Sequence, residues 1–206
     1  MGLKERRERE REERRRQILV AARMLLSKKG LGGTSIQQIA KRAELGVGTI
    51  YFYYRSKEEL FAALQQEGLE VLQSQVKAAD RLGKNPADRL RRISLAYLRF
   101  SEEHKDYFDI INYFLASPEE VFTPELKGLV DRQGSRILQE VEEAIRQGVA
   151  EGAFRKVNAR RISILLWGTL HGLIQFKKMK DTVLQGEDHA VLYKEAVEHL
   201  VRSLLA

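Results

Sequence analysis

The chain has 206 residues, 43% hydrophobic and 32% charged, enough for one large or two small domains with a buried core. Lys and Arg number 36 against 29 Asp and Glu, and the resulting +7 suits an anionic partner without identifying one. With no cysteine, disulfides, thiol catalysis and cysteine-ligated zinc or iron–sulfur centres are excluded.

The N-terminus is charged from Lys4 onward with no apolar segment behind it, so no secretory signal is expected. The longest apolar run, Ile162 to Ile174, is too short to span a bilayer and is interrupted by Gly, Thr and His. Few prolines and no alternating strand pattern predict an all-α chain of about nine helices, placed in the cytoplasm.

Residues 1–16 are almost entirely Glu and Arg, with no apolar residue after Leu3. Two readings stand: an exposed, frayed extension of the first helix, or a basic arm that adds phosphate contacts or reaches a minor groove. The first helix continues through Gln17 to Lys29 with Ile18, Ala21, Ala22, Leu25 and Leu26 on one face, and Gly30 closes it. Thr34 as N-cap with Gln37 three residues later predicts a capping box. The helix it opens carries Ile36, Ile39, Ala40 and Ala43 at helical spacing.

A turn is expected around Glu44 to Gly46. The next helix, Val47 to Tyr53, is shorter than the dozen or so residues an isolated helix needs, so it must lie against a neighbour. Ser56 and Glu59 form a second capping box that opens helix four, expected to run to about Leu82 with Gly83 ending it. Asn85-Pro86, Ser117-Pro118 and Thr123-Pro124 mark further helix starts, and Asn158 caps a helix that is apolar on most sides. A loop near Gly186 precedes the last helix, about Asp188 to Leu205.

Two short helices across a tight turn, the second bearing hydroxyl and aromatic groups, fit a helix-turn-helix. Here the stretch resembles the DNA-binding segment of the TetR family of bacterial transcriptional regulators. The family form runs Ile-Ala, Ala-Gly-Val-Ser, Gly-Thr-Leu-Tyr, an aromatic pair and Ser-Lys-Glu. Ile39-Ala40, Ala43, Gly48-Thr49-Ile50-Tyr51, Tyr53-Tyr54 and Ser56-Lys57-Glu58 match in order without gaps. The chain departs at Glu44, where the family has its turn glycine, at Gly46, where it has a serine N-cap, and at Tyr54, where phenylalanine is common.

The resemblance implies a three-helix DNA-binding domain over residues 1–58 and a helical ligand-binding and dimerisation domain over 59–206. It implies DNA contacts by Thr34, Ser35, Gln37, Val47, Gly48, Thr49, Tyr51, Phe52, Tyr53 and Lys57. It also implies a homodimer through the last two helices, with Ile162, Leu166, Leu170, Leu173, Val197, Leu200, Val201 and Leu204 between subunits; the bland alternative is an intramolecular core. Trp167 with His171-Gly172 resembles a Trp…His-Gly pattern of one subgroup. Candidate lining for a small hydrophobic or amphipathic effector is Tyr97, Phe100, His104, Phe108, Asn112, Trp167 and His171, although aromatics at helical spacing are more often core.

The regulator implied is a repressor on a palindromic DNA operator, released by its effector. A nucleoid-associated or scaffold protein on the same fold is the rival. An enzyme is not expected. The four histidines show no metal-ligand spacing, and no glycine-rich phosphate loop or nucleophile elbow is present. No metal, cofactor or catalytic residue is implied, and Glu119-Glu120 and Glu142-Glu143 read as solvated surface.

Overall fold

Ile18, Ala21, Ala22, Leu25 and Leu26 are all buried, and the helix they belong to runs unbroken from Leu3 to Lys29 as α1. The computed structural model describes residues 2–30, 32–116 and 122–206. Within them the other helices are α2 (Ile36–Arg42), α3 (Val47–Tyr53), α4 (Lys57–Arg81), α5 (Pro86–Glu103), α6 (Lys105–Ala116), α7 (Pro124–Ala150), α8 (Ala159–Phe176) and α9 (His189–Arg202). The architecture is all-α. An isolated bridge between Phe154 and Leu205 is the strand-like pairing among the described residues. No helix among them is long and apolar enough to cross a membrane.

The helix ends follow the capping chemistry of the sequence, with corrections. Asn85 and Asn158 accept from the backbone N–H groups of Asp88 and Arg161 at 2.9 and 3.0 Å. Ser35, not Thr34, caps α2: its Oγ accepts from Gln38 N–H, and Gln38 Oε1 accepts from Ser35 N–H, both at 3.3 Å. The capping box is therefore Ser35–Gln38, one residue along from the expected pair. At α4, Ser56 accepts from Glu59 N–H at 3.1 Å, but the Glu59 carboxylate takes its return bond from Arg55 N–H at 2.6 Å. The last helix ends at Arg202, and the loop expected near Gly186 is preceded by a 3₁₀ turn at Lys177–Met179 and a π turn at Lys180–Leu184. The helix start expected at Ser117-Pro118 lies outside the described residues.

The chain divides into two compact units, residues 1–69 with 105–131 and residues 70–104 with 132–206. In the first, α6 packs on α1 and α4. Arg23 pairs with Asp106 at 3.2 Å and lies over the Tyr107 ring. A Cβ at Gly68 would stand 3.0 Å from Tyr107, so glycine admits that ring against α4. In the second unit, Arg91 grips Glu198 at 2.6 and 3.0 Å, joining α5 to α9. Buried Tyr193 donates to the Ser94 carbonyl at 2.8 Å. Gly148 lets the Phe154 ring close over α7, since a Cβ there would fall 2.1 Å from that ring.

Candidate nucleic-acid interface

The recognition element is built from α2, the turn and α3. Ile39 and Ile50 are fully buried, and Ala40 and Ala43 nearly so; these side chains hold the two short helices together and against α1. Leu45 N–H donates to the Ala40 carbonyl at 2.9 Å across the turn. Glu44 sits in the left-handed region at φ 54, where a side chain costs about 1–2 kcal/mol relative to glycine. Gln17 of α1 braces this bend, its Nε2 donating to the Ala43 carbonyl at 2.7 Å while its Oε1 accepts from Arg14 at 2.9 Å. No sequence pattern singled out Gln17, because its partner is a backbone carbonyl 26 residues away.

Gly46 opens α3 without a side-chain cap, and Tyr54 closes it. Tyr54 is 2% exposed, filling the position where the family carries phenylalanine, and the Arg15 guanidinium lies 5.7 Å from its ring centroid. Burial pushes the Tyr54 phenol above its usual pKa, with Arg15 opposing the shift. α3 turns its other face outward: Val47, Gly48, Tyr51 and Phe52 are exposed, Phe52 at 76%. Large aromatics left in water on a seven-residue helix are not there for packing. A Cβ at Gly48 would meet nothing within 4 Å, so the fold itself does not call for glycine; an approaching ligand backbone would.

The remaining sequence candidates divide. Thr49 and Tyr53 are half-buried, with Tyr53 edge-on to Phe52. Gln37 is exposed at the start of α2, and Ser35 is half-buried with its hydroxyl engaged in capping. Lys57, in the first turn of α4, lies over the Phe61 ring. Thr34 differs from the others: it is 1% exposed and its hydroxyl donates to the Gly30 carbonyl at 2.8 Å, so its side chain braces the α1–α2 corner and does not face outward.

In the second unit, Tyr97, Trp167 and His171 come together. The Tyr97 hydroxyl is 2.8 Å from His171 Nδ1, and the Trp167 ring centroid is 5.6 Å from that of His171. Burial, then the Lys178 charge, holds the His171 pKa below its usual value, favouring the neutral ring. Phe100 is fully buried with His104 beside it. Phe108 and Asn112 belong to the first unit, where both amide atoms of Asn112 are buried without a hydrogen-bond partner.

The expected interface residues also need correction. Leu166, Leu170, Val197, Val201 and Leu204 are at most 3% exposed and Ile162, Leu173 and Leu200 half-buried, so most of this set is enclosed by its own chain. The side chains that face outward are Ile164, Leu165 and Trp167 on α8, at 46%, 60% and 41%, and Val191 on α9 at 52%.

Two family models match this chain: one described as bacterial regulatory proteins of the tetR family, over residues 18–64, and one as a tetracyclin repressor-like C-terminal domain, over 83–175. The HTH-type transcriptional regulator HbdR of Aromatoleum sp. (strain CIB) is 27% identical over 147 residues, which cover 71% of this chain but only 62% of that protein. The HTH-type transcriptional repressor KstR2 of Mycobacterium tuberculosis is 26% identical over 142 residues, 69% of this chain and 70% of that one. Among solved structures, FadR of Bacillus subtilis in complex with stearoyl-CoA shares the fold with a TM-score of 0.77 at 19% identity, covering 91% of this chain and 98% of that one. The buried Ile39–Ile50 hinge, the outward aromatics of α3 and the two matched models lead to one assignment: the chain belongs to the TetR family of bacterial transcriptional regulators.

Proposed function

We propose that this regulator is a repressor that binds a palindromic operator as a homodimer in the cytoplasm and leaves it when a hydrophobic or amphipathic effector binds. The observation that carries the DNA reading is α3, which buries Ile50 and presents Val47, Tyr51 and Phe52 to solvent. One such helix spans few base pairs, whereas two related by a two-fold axis read both halves of a palindrome. The dimer reading rests on Ile164 and Leu165 beside Gly168 and Thr169 on the outward side of α8, where another helix could approach closely. The repressor sign follows KstR2, a relative whose name carries it.

For the effector, the aromatic group of Tyr97, Trp167 and His171 offers apolar walls with a few polar atoms. Stearoyl-CoA, the amphipathic ligand of the fold relative from Bacillus subtilis, is the first compound to try. α4 runs continuously from Lys57 to Arg81 and contributes to both units, so a shift of this helix would alter the spacing of the recognition helices. Effector and operator then weaken each other by the same factor.

The test is selection of bound sequences from random duplex DNA, followed by titration of the winner with stearoyl-CoA. A palindrome released by the ligand, with equal reciprocal factors, is the expected result. Absence of any enriched motif, together with dispersed occupancy across a genome, would replace this reading with the nucleoid-associated one.

A further inference from the structure

The segment from Lys4 to Arg16 carries eight basic and five acidic residues, and α1 sorts them by face. Lys4, Arg7, Arg11 and Arg14 recur in steps of three and four, with Arg15 beside Arg14. The same steps continue into Ile18, Ala21, Ala22 and Leu25, the buried side of the helix. The stripe that packs on the domain therefore becomes, beyond the domain, a row dominated by cations, with Glu8 as its one carboxylate. The other glutamates, Glu5, Glu10, Glu12 and Glu13, lie off it.

Arg6, Arg9 and Arg16, off the row, are engaged with glutamates. Arg6 pairs with Glu10 at 3.1 Å, Arg16 with Glu13 at 2.7 Å, and Arg9 reaches the Glu5 carbonyl at 3.5 Å. Lys4, Arg7 and Arg11 are exposed and have no hydrogen bond or ion pair among the described residues. A helix selected only for solubility would alternate signs around its circumference. Here the ion pairs Arg6–Glu10 and Arg16–Glu13 lie off the row that carries Lys4, Arg7 and Arg11.

The place where the row leaves the domain matters as much as its charge. Arg15 lies against Tyr54, the residue that closes α3, three residues before Lys57 opens α4. We infer that residues 4–15 form a helical rail, with Lys4, Arg7 and Arg11 on its contact side, that lies along the phosphate backbone flanking the operator half-site. At 1.5 Å per residue the segment is about 18 Å long, roughly five base pairs of duplex. Such contacts position the protein and carry no base preference. The inference rests on the DNA-binding reading of α3 and extends it to DNA that α3 does not reach.

The experiment uses the full chain and two duplexes, the selected operator with ten-base-pair flanks and a shuffled duplex of equal length, titrated across a salt series. Lys4→Gln/Arg7→Gln/Arg11→Gln is compared with Arg6→Gln/Arg9→Gln/Arg16→Gln, which removes the same charge from the opposite face. Circular dichroism checks that both stay helical. The rail variant is expected to weaken binding to both duplexes by a similar factor of about ten or more, and to flatten the salt slope by up to about 3 per protomer. The opposite-face variant is expected to change either quantity by less than half as much. Equal effects of the two variants, or none from the first, overturn the rail. So does a change in self-association without DNA, which would assign the arm to a second copy of the chain. Tyr51→Ala separates the two readings: it is expected to weaken the operator alone. If it is silent while the rail variant weakens both duplexes, the helix-turn-helix reading fails and the rail stands.

Discussion

Two helices of this protein leave large apolar side chains in water, and they do so differently. α3 has seven residues, one of them fully buried, and exposes Val47, Tyr51 and Phe52 next to Gly48 and Thr49. α8 has eighteen, buries Ser163, Leu166, Leu170 and Ile174 along one side, and exposes Ile164, Leu165 and Trp167 on another. The α3 surface mixes hydroxyls, aromatic edges and bare backbone, which suits base edges and phosphates. The α8 surface is broader, setting Ile164 and Leu165 beside Trp167 along an eighteen-residue helix, which suits another protein face. Exposure alone does not assign a partner; the polar groups interleaved with the exposed side chains do.

The contrast predicts different failures. Ile50→Ala should cost about 2–5 kcal/mol of stability, because Ile50 is fully buried and is the one α3 side chain that is. Urea unfolding checks it, and a loss below ~1 kcal/mol would mean that α3 is held in some other way. Leu165→Arg, at a side chain 60% exposed, should leave protomer stability within ~0.5 kcal/mol yet raise the dimer dissociation constant about thirtyfold, equivalent to ~2 kcal/mol. Sedimentation that shows unchanged association would remove α8 as a dimer surface. Tyr51→Ala should weaken operator binding by ~1–3 kcal/mol with the unfolding midpoint unmoved, as measured by fluorescence anisotropy beside a urea titration.

Glu44→Gly addresses the turn that sets the angle of α3. Relief of the left-handed strain at φ 54, about 1–2 kcal/mol, outweighs the ~0.5–1 kcal/mol of added unfolded-state entropy. A net gain of about 0.5 kcal/mol in thermal or urea unfolding is expected; a loss would mean that the Glu44 side chain compensates its own strain. The smallest effect concerns α8. Burial holds the His171 pKa below its usual value, so the unfolded chain takes up a proton at a higher pH than the folded one. Stability contributed by the neutral ring is therefore present above the unfolded pKa and is lost as pH falls through the folded one. His171→Gln should flatten the decline in stability on acidification below about pH 6.5. An unchanged pH profile would show that His171 is solvated when protonated.

Local chemistry is legible wherever one residue's role depends on its immediate neighbours. The bounds of α3, the caps at Asn85 and Asn158, and the end of α1 at Gly30 all follow from side chains within four positions. The α2 cap was displaced by one residue because Thr34 and Ser35 are both competent N-caps. Thr34 instead turns to the Gly30 carbonyl, a choice that depends on where α1 stops. The π turn before α9 and its left-handed Gln185 at φ 45 carry no such local signature.

By itself, the amino-acid sequence determined the all-helical architecture, the helix-turn-helix and its bounds, and the family, because capping, periodicity and a gapless motif act over a few residues. Tertiary structure alone decided which apolar side chains on α8 and α9 face inward and that Gln17 braces the turn. Period and composition say that a helix has an apolar side; they do not say which part of a broad apolar side its own chain will cover. That is settled only when distant segments pack. On α8 the packing takes Leu166 and Leu170 inward and leaves Leu165 in water.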